Sequence, residues 1–125
     1  MTMIDKEFLA EVNTVERGIA CLANLLHEEA ELNKLIEKAM EFVAANSRAA
    51  SGVSAQISRN LASAVQDEDA AWMLNELQQR AVELGDEADI AHARLAELRS
   101  ELCQVAGRRL QMEIHLDRMR IAAAG

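Results

Sequence analysis

The sequence predicts an all-α fold, a long antiparallel helical hairpin of the coiled-coil type, completed to a helical bundle by self-association. Three observations predict it. The first is a seven-residue apolar repeat over residues 70–119: Ala70, Leu74, Leu77, Ala81, Leu84, Ala88, Ala91, Leu95, Leu98, Leu102, Val105, Arg109, Met112, Leu116 and Met119, apolar at every position but Arg109. Steps of alternating four and three held this long mark a seam between helices, because only a supercoiled helix keeps such a stripe turned toward its partner. The second is composition: half the residues are apolar, yet the only aromatic ones are Phe8, Phe42 and Trp72, which suits a thin helical seam. The third is the absence of proline, so nothing forces a helix to stop.

At 125 residues the chain is read as one all-helical domain, 1–125. The first helix is expected over about residues 4–65, with Asp5, Glu7 and Glu11 suiting the positive end of its dipole. Its seam is read as Phe8, Val12, Val15, Ile19, Leu22, Leu26, Glu29, Asn33, Ile36, Met40 and Val43. The repeat continues more weakly through Ser47, Ala50, Ser54, Ile57, Leu61 and Ala64. Residues 44–58 hold Asn46, Ser47, Ser51, Gly52, Ser54 and Ser58, all poorer helix formers than the Leu and Glu around them. Either Gly52 caps one helix near 44–53 and another begins, or the helix continues. The four-residue spacing of Val53, Ile57, Leu61 and Val65 favours continuation.

A turn is expected at about residues 65–68, because the two heptad frames fall out of step there and Asp67-Glu68-Asp69 suits a helix start. The second helix then spans about residues 69–122. Folding the helices antiparallel about this turn places Val15 on Met119, Leu22 on Met112, Ile36 on Leu98, Val43 on Ala91 and Ile57 on Leu77. The alternate set places Ile19 on Leu116, Met40 on Leu95 and Leu61 on Leu74. Arg109 falls one turn from Glu29, so a Glu29–Arg109 ion pair beside Asn33 is expected to lock the register, the best-attested use of polar seam residues.

More apolar side chains are present than one seam buries. Cys21, Leu25, Leu32, Leu35, Ala39 and Phe42 form a stripe beside the first seam, and Cys103, Gly107, Leu110, Ile114 and Ile121 one on the second helix. A contiguous apolar surface invites a partner. Leu25, Leu32, Leu35, Phe42, Leu110, Ile114 and Ile121 are therefore the candidate interface residues. Association into a homodimeric four-helix bundle is the simplest outcome, ahead of docking of another protein's helix or bending of the chain near Gly52 or Gly85. Trp72 lies outside the second helix beside the turn, where it either contacts a partner or folds over Leu61 or Val65.

Chemistry is sparse. His27, His92 and His115 are scattered, Asp89 and His92 only faintly echo a di-metal pattern, and the glycines form no phosphate loop. No Ser or Cys has a His and an acid placed to activate it. No catalytic residue, metal ligand or cofactor site is expected. Thirteen Lys and Arg against 21 Asp and Glu give a formal charge of −8, which repels nucleic acid. The cluster Arg99, Arg108, Arg109, Arg118 and Arg120 is interspersed with acids and reads as a solvated helix face. No run of roughly 18 apolar residues offers a membrane span. The start lacks a signal peptide's pattern, and two cysteines make no disulfide framework, so a cytoplasmic setting is expected.

These features suggest a non-enzymatic scaffold, adaptor or assembly component. In outline the chain also resembles small, acidic, all-helical chaperones and hairpin stalk proteins of bacterial secretion systems. The Ala/Ser/Gln texture of residues 44–65 is similar to granule-coating phasins, a resemblance that implies coating of an apolar surface.

Overall fold

A computed structural model describes residue 9 and residues 12–124. Two helices, α1 (Val15–Ala64) and α2 (Glu68–Ala124), pack against each other as a helical hairpin, with no strand among the described residues. Their contacts divide into two compact units. One joins residues 1–36 to 97–125, and the other comprises residues 37–96.

Helix α1 begins later than its apolar repeat suggests. Residues 12–14 are not helical, which corrects the expectation of one helix from about residue 4. Thr14 supplies the reason: its Oγ1 accepts the Arg17 N–H at 3.2 Å, an N-cap that satisfies a donor the first turn would otherwise leave unpaired. Phe8 and the acidic residues Asp5, Glu7 and Glu11 lie outside the described residues. Once started, α1 continues unbroken through residues 44–58 to Ala64. Gly52 therefore caps nothing, and no atom approaches the position a Cβ would take there. The turn falls where the heptads change frame. The Gln66 and Asp67 N–H groups both reach back to the Ser63 carbonyl, and the Asp67 carboxylate accepts the Asp69 N–H at 3.0 Å, capping α2.

The seam of α2 is the expected one, apart from Ala81, which is exposed. On α1 only one of the two seam columns is the expected one. Val15, Leu22, Glu29, Ile36, Val43, Ala50, Ile57 and Ala64 are all at least half-buried. The second column lies one residue earlier than the repeat was read: Gly18, Leu25, Leu32, Ala39, Asn46, Val53 and Asn60 face inward. Ile19, Leu26, Asn33, Met40 and Leu61, which the repeat placed in the seam as partners of Leu116, Leu95 and Leu74, are exposed instead.

Gly18 shows why within the first unit. A Cβ there would overlap Leu116 Cδ2 and stand 2.9 Å from Leu116 Cγ. The missing side chain is thus the space that buries Leu116. Around it Val12, Leu25, Met112 and Leu116 form a buried cluster, with Leu9, Val15, Leu22, Val105 and Met119 packed on its rim. In the second unit Leu84 and Leu95 are the buried apolar side chains.

Two stability series follow. Leu25→Ala should cost about 2–4 kcal/mol in urea unfolding and Leu26→Ala less than about 1 kcal/mol; equal losses would mean the seam is placed wrongly. Gly52→Ala and Gly85→Ala, both in open space, should each add about 0.5–1 kcal/mol of helix propensity. Gly18→Ala should instead destabilise by about 1 kcal/mol, because displacing buried Leu116 outweighs that gain.

Candidate interaction surface

Each unit carries a polar crossing in its seam. In the first, Arg109 on α2 donates from Nε to Glu29 Oε1 across the helices at 2.6 Å, and from Nη1 to Glu113 Oε1 one turn along its own helix at 3.0 Å. These charge-assisted bonds hold the guanidinium above its ordinary pKa, Glu29 having the larger effect. The Glu29–Arg109 pair is the expected one. Asn33 takes no part: it is exposed on the outer side of α1, because the seam rotates away from its column. The polar partner that the sequence reading missed is Asn46, 7% exposed in the second unit. Its Nδ2 donates to Glu87 Oε2 at 3.3 Å, while Glu87 Oε1 stands 3.7 Å from Arg80 Nη1. Asn46 lies at heptad spacing from Leu25, Leu32, Ala39 and Val53, so reading that column as the seam would have revealed it.

Two further side chains tie the first unit together. His115 Nε2 lies 2.7 Å from the Val12 carbonyl, which can only accept, so this nitrogen carries the proton. The contact pins the segment before α1 onto α2. Cys21 packs against the buried cluster, and burial, with Glu28 nearby, raises its thiol pKa. Cys103 is exposed, and neither cysteine is bridged.

The expected interface residues divide. Leu25, 6% exposed, is core and not surface, and Leu32 lies half-buried in the seam; both are corrected by the rotation of α1. Leu35, Phe42, Trp72, Leu110, Ile114 and Ile121 remain exposed. Trp72 does not fold over Val65, which is 86% exposed beside the turn.

Apolar groups line clefts within each unit. In the first, Leu32, Leu35 and Val105 line one that is rimmed by Glu28, Glu31, Glu101 and Arg108, and Leu9 and Ile114 line another. In the second, Ala39 and Phe42 of α1 with Ile90 and Ala91 of α2 line a cleft of about 310 Å³, with Glu87 and Arg94 at its edges. Ile90 is 71% exposed, and the sequence reading passed over it because it lies outside both seam columns. Among the described residues, no three His, Cys, Asp or Glu side chains converge to hold a metal ion. Nor is any helix among them long and apolar enough to cross a membrane.

Removing one partner of the Glu29–Arg109 pair should cost more than removing both, because a lone half-buried carboxylate keeps its desolvation penalty. Arg109→Leu should therefore melt below Glu29→Leu/Arg109→Leu in thermal unfolding, and the reverse order would show that the pair contributes nothing to the seam. No protein-family model, curated protein or solved structure matches this chain.

Proposed function

We propose that this is a non-enzymatic coiled-coil interaction protein, serving as a scaffold, adaptor or assembly component through self-association. One observation carries the reading: the described residues leave more large apolar side chains exposed than they bury. Eight hydrophobic residues are buried, whereas Ile19, Leu26, Leu35, Met40, Phe42, Leu61, Val65, Trp72, Met73, Val82, Ile90, Leu110, Ile114 and Ile121 are exposed. Scattered apolar groups on a surface need no explanation, but Phe42 and Ile90 meet in one cleft beside the seam and Leu35 lines another. Covering a side chain of this size contributes about 1.5–3 kcal/mol, so a second helical pair laid along a flank recovers what a lone hairpin leaves in water.

A homodimer fits this reading with the fewest components, and a closed two-fold assembly is the commonest form. The cytoplasmic setting belongs to the same proposal and is supported by two unbridged thiols. Sedimentation equilibrium at micromolar concentration should give at least twice the 13.8 kDa chain mass. A species of single-chain mass throughout that range would reject the proposal.

A further inference from the structure

We propose that the Ile90 cleft of the second unit is the seat of a two-fold homodimer in which α2 of one copy crosses α2 of a second copy antiparallel. This deepens the self-association reading and rests on it. The apolar floor of the cleft is Ala39, Phe42, Ile90 and Ala91, with Phe42 51% exposed and Ile90 protruding beside it. Small residues from each helix leave the depression, and a branched aliphatic side chain stands at its lip. The cleft thus carries both the socket and the knob that a self-complementary interface requires.

Charge supplies the choice of occupant. Glu87 and Arg94 edge the cleft on α2, two helical turns apart, with Ile90 and Ala91 midway between them. Reversing the helix about that midpoint exchanges the places of the carboxylate and the guanidinium. A second copy laid antiparallel therefore sets Glu87 against Arg94 of the second copy, and Arg94 against Glu87 of the second copy, with the two Ile90 side chains beside the axis. A parallel arrangement would set like charges together, which is unfavourable. Read along the sequence, the same seven-residue column is Arg80, Glu87, Arg94 and Glu101, alternating in sign at every step.

Both charged groups have capacity for the new contact. The Glu87 side chain is 45% exposed although Asn46 and Arg80 approach it, and a carboxylate accepts several bonds. Arg94 interacts within its own chain, and a guanidinium carries five donors. Glu83, one turn before Glu87, is also engaged by Arg80, at 3.2 Å.

The test uses the full chain. Ile90→Glu should abolish the dimer in sedimentation while circular dichroism reports unchanged helix. Glu87→Arg and Arg94→Glu should each weaken dimerisation by about tenfold or more, and the double reversal should restore it to within about threefold, as coupled charges across a symmetric interface require. Independently of folding losses in those variants, Ile90→Cys in a Cys21→Ser/Cys103→Ser background should form a disulfide-linked dimer under mild oxidation. Val82→Cys, exposed elsewhere on α2, should not. A dimer indifferent to Ile90→Glu and not cross-linked through Ile90→Cys would overturn this interface and leave the self-association reading standing. A wild-type monomer would overturn both.

Discussion

Helix α1 carries three neighbouring apolar columns, and one partner helix can cover only two of them. Everything else in the hairpin follows from which two are covered. The column of Val15, Leu22, Ile36 and Val43 is common to either choice. The alternatives beside it are Ile19, Leu26, Met40 and Leu61 on one side, and Gly18, Leu25, Leu32 and Ala39 on the other. The first set is the greasier, yet the second is buried. At Gly18 the cause is steric: a seam that must admit Leu116 and Met119 needs space opposite them, and glycine supplies it. Close packing outranks summed hydrophobicity when the two compete for one groove.

That choice sets the polar pattern as well. Turning α1 by one column carries Asn33 out to water and Asn46 into the seam, where it meets Glu87. Glu29 belongs to the column that either choice covers, so its pair with Arg109 survives the rotation. The result is a cross-helix polar contact in each unit, Glu29–Arg109 in the first and Asn46–Glu87 in the second. Polar groups in a seam lower stability relative to apolar packing but penalise every register that would strand them without a partner.

It also sets what is left for a partner. With Leu25 and Leu32 drawn inward, the stripe that looked continuous on paper is reduced at its centre to Leu35 and Phe42. Phe42 is not stranded, because α2 presents Ile90 and Ala91 beside it. The cleft in the second unit is therefore a product of two helices and of neither sequence segment alone. Its charged edges, Glu87 and Arg94, give it a direction along α2.

Helix existence, the frame change near residue 66, the cap at Asp67, the continuity of α1 past Gly52 and the Glu29–Arg109 pair were all legible in residue spacing. Each depends on local propensity or on a period of seven, and a single strand of text carries both. The start of α1 at Thr14, the choice between its two side columns, the burial of Asn46 and the exposure of Ile90 were decided only when the helices met. A heptad pattern records which residues prefer to be covered, whereas covering them is a contest for a finite groove, settled by the volumes that face each other across it.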